Sequence, residues 1–163
     1  MDIIKDIDKL RQKSKKTSIK EVNFLYLDSR LRSMMTRYKG LGLSAIQIGI
    51  PLRVFTLQLN DGKIETFINP KITKQYEEKT FVDEGCLSFP NRSVNTTRSN
   101  FVHIEYLNAV GASRQAVLQG LEAVVFQHEL DHLNGIVMFD RESKEFRKPQ
   151  QQADYSLETE DSI

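Results

Sequence analysis

The chain has 163 residues, of which 39% are hydrophobic and 28% are charged. Its 23 basic and 22 acidic residues leave a formal charge of +1, which is ordinary for a globular protein and does not indicate a surface for polyanions. We therefore expect no specific nucleic-acid binding. The chain has no apolar stretch of about 18 residues and no signal peptide, so we expect one domain without a membrane span.

A single cysteine, Cys86, excludes an intrachain disulfide and suits a reducing compartment, so we expect a cytoplasmic protein. A lone thiol is a buried apolar group, a reactive nucleophile or a metal ligand. Cys86 by itself does not distinguish between these three roles.

The N-terminal part of the chain combines a basic segment with a predicted helix. Residues 9–20 hold six basic residues and no acidic one, so we expect a solvated N-terminal arm. Apolar residues at gaps of three to five over residues 21–39 predict a helix that begins near Val22 or Asp28. Gly40 follows as a stop signal.

Apolar-rich stretches predict five strands farther along the chain. These strands span residues 53–59, 64–68, 71–81, 101–107 and 114–118. A turn at residues 60–62 joins the first two strands, and residues 69–70 close that hairpin. Strands before and after a short helix, without a regular β-α alternation, indicate an α+β domain.

Residues 121–135 carry the strongest chemical signal. They predict a helix whose apolar face continues into His128 and His132, one turn apart, with Glu129 between them. This H-E-x-x-H arrangement lets both imidazoles reach one ion. Two histidines on an apolar face are costly to bury unless a partner satisfies their nitrogens, and a divalent metal ion does so.

Two further segments provide candidates for the rest of a site. A catalytic metal usually takes three protein ligands, and Cys86 is the candidate for the third, with Gly85 before it allowing close approach of the backbone. Residues 40–47 read GLGLSAIQ. Their glycines allow approach to a ligand, but a glycine-rich turn alone is weak evidence.

Taken in this order, GLGLSAIQ, EGCLS and HELDH resemble the peptide deformylase family, whose pattern is G-x-G-L-A-A-x-Q, E-G-C-L-S and H-E-x-D-H. The resemblance covers roughly residues 10–140. It implies an α+β fold with mixed and antiparallel sheets around a central helix that carries HELDH, and we expect a single catalytic domain over residues 1–148. It also implies removal of the formyl group from the N-terminal formylmethionine of new polypeptides. The acidic tail, residues 149–163, is expected to be disordered.

The resemblance implies a role for each matching residue. The residues that match metal ligands are Cys86, His128 and His132. Glu129 matches the general base, and later acid, for attack of a metal-bound water on the formyl carbon. The Gln47 side chain and the Leu87 amide match the donors that stabilise the oxyanion.

The resemblance also predicts where the substrate binds. The expected wall for the methionine side chain consists of Leu41, Val82, Leu121, Val124 and Val125. The sequence supports an ordinary core role for these residues equally well. The backbone at Leu41, Gly42 and Gly85 would hold the peptide as an added strand. Glu84 would support a metal ligand or contact the substrate amine, and Arg98 would be structural.

The chain departs from the family pattern in two places. Ser44 replaces the usual alanine, which should be tolerated if its hydroxyl finds a partner. Many bacterial members continue into a long basic helix that docks at the ribosome, whereas residues 141–148 here lead into Pro149 and the acidic tail. Ribosome docking by that route therefore lacks support.

We expect one divalent metal ion per chain. A thiolate ligand suits Fe(II), Co(II), Ni(II) or Zn(II) and not Mg(II) or Ca(II), and the resemblance implies Fe(II) as the native ion. The expected partners are N-formylmethionyl peptides and nascent chains, on which the protein would act as a monomer.

Three other functions stay open on the residues alone. A zinc endopeptidase shares H-E-x-x-H, although the cysteine segment and GLGLSAIQ argue against it. A non-catalytic metal protein would bind formylated peptides without releasing formate. A cysteine hydrolase would use Cys86 as its nucleophile and would stay active in the presence of a chelator.

Overall fold

Five antiparallel strands form one sheet in chain order in the computed structural model, which describes residues 2–144. The strands are β1 (Gly42–Ser44), β2 (Val54–Gln58), β3 (Ile64–Gly85), β4 (Ser93–Leu107) and β5 (Ser113–Gln119). Among the described residues, the one parallel pairing is an isolated bridge between Lys15 and Leu52. The expected α+β class is confirmed.

Strand β3 is longer than the sequence predicts. The expected strands 64–68 and 71–81 are both parts of it, so the chain does not leave the sheet at Asn69 and Pro70. Asn69 adopts a positive φ of 49°, and the pairing with β4 shifts there by a bulge. Most β3 residues beyond this bulge are exposed, so the apolar alternation of a half-buried strand is missing. Strand β4 extends its predicted strand in the same way, at its N-terminal end.

The α-helices are α1 (Ile7–Leu10), α2 (Phe24–Arg37) and α3 (Leu121–Leu133), and short 3₁₀ segments lie at Ala45–Ile48 and Met138–Arg141. Helix α2 begins close to the predicted start at Val22 and not at Asp28. The side chain of Asn23 accepts a hydrogen bond from the Tyr26 amide and caps the helix. The buried face of α2 packs in one core cluster with residues of β1 and β2.

Helix α3 spans the predicted residues and is enclosed by the rest of the fold. Ten of its 13 residues are buried. Phe126 packs edge-on against Phe55 of β2 and Phe67 of β3, with ring centroids 5.0 and 5.4 Å apart. This packing holds α3 against the sheet and confirms the expected central helix.

The N-terminal segment, residues 9–20, is attached to the end of α3, so the expectation of a solvated arm is wrong for its backbone. Ser14 is buried, and its amide donates to the carbonyl of Leu133 (2.9 Å). A Cβ at Gly135 would lie 2.4 Å from the carbonyl oxygen of Arg11, so glycine is required for this close approach. The basic side chains of the segment are exposed, as expected.

Two expectations concern the C-terminus and the membrane. The acidic tail at residues 149–163 and the domain boundary at residue 148 lie outside the described residues. Within residues 2–144, no helix combines the length and the apolar composition that crossing a bilayer requires.

Candidate metal centre

Three buried side chains from two separate parts of the chain come together beside α3. Cys86 directly follows β3, whereas His128 and His132 lie one turn apart on α3. Their ligand atoms all lie within 4.8 Å of one another, and Sγ of Cys86 is 3.4 Å from Nε2 of His132. The fold therefore assembles the three residues that the sequence predicts as metal ligands.

This set of donor atoms fits a divalent metal ion. The three residues are at most 2% exposed, and Nε2 of His128 has no hydrogen-bond partner among the described residues. A buried polar atom without a partner costs about 1–3 kcal/mol, which a bound ion would offset. Burial lowers the pKa of His132 well below its ordinary value, so its imidazole is neutral, as metal binding requires.

Glu84 holds the ring of His128 at its Nδ1 atom. Its Oε2 lies 2.7 Å from Nδ1 of His128. Arg98 donates two hydrogen bonds to its carboxylate (2.9 and 2.7 Å), and Thr96 donates one (2.8 Å). Burial acts to raise the pKa of Glu84, but the hydrogen bonds and charges of His128 and Arg98 lower it to about 2. The carboxylate thus fixes the Nδ1 side of the ring, and Nε2 is the nitrogen of His128 without a partner in the described chain.

The same polar network continues away from the ligands. Arg98 donates to Asp131 (2.5 Å), and the exposed Arg141 donates to both oxygens of Asp131 (3.1 and 3.0 Å). These contacts fit the expected structural role of Arg98. The complete burial of Glu84 favours support of His128 over contact with a substrate amine. Sequence reasoning missed Thr96, Asp131 and Arg141. The one signal available was Asp131, a second acidic residue within the HELDH segment of the predicted helix.

Glu129 lies beside the ligands and makes no hydrogen bond of its own. It is fully buried, and both of its carboxylate oxygens lack a partner within residues 2–144. Its Oε1 is 3.9 Å from Nε2 of His128. Burial raises the pKa of Glu129 to about 7. A carboxyl group in this state can accept and release a proton near neutral pH.

Gln47 directs its amide nitrogen toward the cysteine. It belongs to the 3₁₀ segment after β1, and its Oε1 accepts hydrogen bonds from the amide (2.9 Å) and the hydroxyl (3.0 Å) of Ser44. Its Nε2 donates to Oγ of Ser88 (3.1 Å) and lies 3.6 Å from Sγ of Cys86. The hydroxyl of Ser44 therefore has the partner that its burial requires. Leu87, between Cys86 and Ser88, lies in the turn that follows β3.

A known protein family matches most of this chain. The family model for polypeptide deformylase matches residues 2–148. The chain belongs to the polypeptide deformylase family. It is 39% identical over 132 residues to the peptide deformylase of Thermotoga petrophila, with 81% of this chain and 80% of that relative aligned. The peptide deformylase of Rhizobium meliloti is 35% identical over 139 residues, which cover 83% of this chain and 80% of that relative.

Solved deformylase structures share the fold. The crystal structure of peptide deformylase from Thermotoga maritima has a TM-score of 0.81 at 36% identity and covers 86% of this chain and 96% of that chain. The present deformylase is therefore a metal-dependent hydrolase that removes the N-formyl group from new polypeptides. The family assignment does not support the zinc endopeptidase or the cysteine hydrolase.

The residues predicted to bind substrate in this deformylase lie in two environments, and the first is close to α3. A Cβ at Gly42 would come within 2.9 Å of Cγ1 of Val125 and 3.0 Å of Cγ of Glu129, so β1 passes directly beside the helix. Leu41 packs on the same core cluster as Val124 and Val125. The burial of the two valines fits both a pocket wall and an ordinary core.

The second group lies nearer the surface. Val82 is 61% exposed, and Leu121, in the first turn of α3, is 39% exposed, so both offer apolar surface to a ligand. Gly85 ends β3 and precedes Cys86. The part that each residue plays in holding a peptide stays a prediction.

Proposed function

We propose that Cys86, His128 and His132 of this deformylase hold one divalent ion and that Glu129 carries the proton transfers of the reaction. The observation that supports this most directly is that three donor atoms converge within 4.8 Å beside a buried carboxylate without a partner. The ligand types suit Fe(II), Co(II), Ni(II) or Zn(II), and we propose Fe(II) as the native ion. A bound ion supplies Lewis-acid chemistry at the formyl oxygen and lowers the pKa of a water molecule.

Glu129 acts first as a base and then as an acid. Its carboxylate accepts a proton from the water that attacks the formyl carbon. It returns that proton to the amide nitrogen as the bond between this nitrogen and the formyl carbon breaks. Formate and a peptide with a free amino terminus then leave. Since neither oxygen of Glu129 is engaged by a described protein group, both are available for these contacts.

Gln47 and Leu87 stabilise the negative charge that develops on the formyl oxygen. The orientation of Gln47 supports this role, because Ser44 occupies its Oε1 and its Nε2 is directed toward Cys86. The amide of Leu87 directly follows the cysteine in the chain. Preorganised donors of this kind contribute about 100- to 1,000-fold to kcat.

The substrate peptide lies along β1 as an added strand. In the described part of the chain β1 pairs with β2 alone, so its other edge has no strand partner; a peptide would pair there at Leu41 and Gly42, with Gly85 as a further backbone contact. The methionine side chain contacts the apolar group of Leu41, Val82, Leu121, Val124 and Val125.

The partners follow from this substrate. The enzyme acts on N-formylmethionyl peptides and nascent chains, as a cytoplasmic monomer. Its single cysteine supports a reducing compartment.

Formate release from formyl-Met-Ala-Ser tests the proposal. Protein purified without oxygen and analysed for metal should turn over this peptide, lose activity with a chelator and regain it with Fe(II), Ni(II) or Co(II). A folded, fully loaded sample that binds the peptide without releasing formate would contradict the proposal. Activity that survives the chelator would indicate a cysteine hydrolase, and cleavage of a blocked internal peptide would indicate an endopeptidase.

A further inference from the structure

We propose that Ser44 is a positioning residue that acts through Gln47 during deformylation, an inference that rests on the proposed role of Gln47. Ser44 ends β1, and Gln47 lies in the 3₁₀ segment that follows. Both residues are fully buried. The amide and the hydroxyl of Ser44 lie 2.9 and 3.0 Å from Oε1 of Gln47. One residue thus supplies two donors to the same oxygen.

These two hydrogen bonds determine the direction of the Gln47 amide group. If the amide were turned over, its nitrogen would face the backbone N–H of Ser44, and two donors would oppose each other. Nε2 therefore lies on the other side, where it donates to Oγ of Ser88 (3.1 Å) and is 3.6 Å from Sγ of Cys86. This is the side on which the metal ligands lie.

The hydroxyl of Ser44 adds to what the backbone amide provides. A second donor on Oε1 restricts rotation of the Gln47 amide group, and hydrogen bonds in a chain polarise one another, which makes Nε2 a stronger donor. Alanine, the residue of the family pattern, supplies the backbone bond alone. In this chain the Gln47 amide group is therefore held by one donor more than the family pattern provides.

The Ser44→Ala variant tests this inference, and alanine is small enough to fit the site without strain. We expect kcat for formyl-Met-Ala-Ser to fall about twofold to tenfold, the range of one hydrogen bond, while KM and metal content stay unchanged. Ser143→Ala is the matched control, because it removes a buried hydroxyl that contacts Thr80. It should leave kcat unchanged.

A Gln47→Ala background separates this inference from the proposed function. If Ser44 acts through Gln47, adding Ser44→Ala to Gln47→Ala has no further effect on kcat. Three results would overturn this inference and leave the role of Gln47 intact. Ser44→Ala could lower kcat in the Gln47→Ala background as much as it does in the unmodified enzyme, or it could cause a loss of metal. It could also leave kcat normal while Gln47→Ala lowers it. A normal kcat for Gln47→Ala would overturn its oxyanion role as well.

A spectroscopic measurement tests the same contact without turnover. In ¹⁵N-labelled, zinc-loaded enzyme, Ser44→Ala should move the side-chain NH₂ resonances of Gln47 to higher field and speed their exchange with water. Ser143→Ala should change neither property. Unchanged resonances and exchange in Ser44→Ala would overturn the inference.

Discussion

The carboxylate of Glu84 lies 2.7 Å from Nδ1 of His128, so a residue of β3 sets the orientation of a proposed metal ligand on α3. Arg98 of β4 holds Glu84 and also contacts Asp131, on the next turn of α3 after His128. Three elements therefore cooperate to fix one imidazole ring. Changes in this network should affect metal binding before they affect peptide binding.

Glu84→Gln should weaken metal binding. The amide keeps the shape of the carboxylate but removes the charge that holds the proton on Nδ1 of His128, so we expect the metal affinity to fall about 10- to 100-fold. Arg98 loses one of its buried ion pairs, which should lower the free energy of unfolding by about 3 kcal/mol. Competition with a chromogenic chelator measures the affinity. Glu77→Gln, an exposed change on the same strand, is the control, and an unchanged affinity in Glu84→Gln would contradict the role of Glu84.

Glu129→Ala should retain the metal and lose nearly all turnover. Without the carboxylate no protein group remains to move the proton, so we expect kcat to fall at least about 100-fold. Formate release and metal content are measured on one sample. Glu122→Ala, in the first turn of the same helix, should behave like the unmodified enzyme. An active Glu129→Ala variant would rule out the proposed base.

Cys86→Ser should weaken or change the bound metal, because an alcohol is a poorer ligand than a thiolate for these ions. Since Cys86 is the only cysteine, a thiol reagent reports on it directly. The thiol should react more slowly in metal-loaded enzyme than in metal-free enzyme. Equal rates, together with unchanged metal content in Cys86→Ser, would remove it from the ligand set.

Gly42→Ala should disturb catalysis through the packing of β1 on α3. The new methyl group would lie 2.9 Å from Cγ1 of Val125 and 3.0 Å from Cγ of Glu129, so these side chains of α3 must shift. We expect kcat to fall about 10- to 100-fold, with a stability loss of about 1–3 kcal/mol. Gly62→Ala, in an open turn with positive φ, provides a control that loses stability without touching the site. Equal kcat values for the two variants would disprove the effect.

The ion pair between Arg11 and Asp140 should make part of the stability depend on pH. Hydrogen bonds from Arg11 lower the pKa of Asp140 in the folded state. The contribution is therefore complete above the ordinary pKa of an aspartate, about 3.9, and is lost as the pH falls through the lower folded value. The Tm difference between the unmodified protein and Asp140→Asn should be largest near neutral pH and should shrink in acid. Arg11→Gln should show the same trend, and a difference that grows in acid would contradict it.

The centre of the site could be predicted because its parts are close in sequence. His128, Glu129 and His132 lie within little more than one helical turn, so helical periodicity alone brings them together. Cys86 is far from them in the sequence, and it could be predicted because a catalytic metal usually needs a third ligand and because the family pattern has a cysteine there. Thr96 gave no signal, because nothing in the sequence says that β4 passes behind the first histidine.

The errors in the fold arose where burial is not periodic. Leu10 is fully buried in a small cluster with Cys86 and Phe89. Its neighbours in the sequence are polar, so no apolar pattern marks the burial of this residue. Strand β3 is exposed over most of its outer half, so its backbone pairing leaves no pattern of apolar side chains.

The contact between Ser14 and Leu133 joins the N-terminal part of the described chain to the end of α3. The ion pair between Arg11 and Asp140, which are 129 positions apart in the sequence, joins the same two parts of the chain. During translation the N-terminal segment is made first, whereas its partners Leu133 and Asp140 are made much later. A growing chain that has reached Cys86 therefore contains one of the three proposed ligands and lacks the helix that carries the other two. With the proposed ligands, a new copy of this enzyme completes its metal site only after translation has passed His132, and closing such distant contacts is slow.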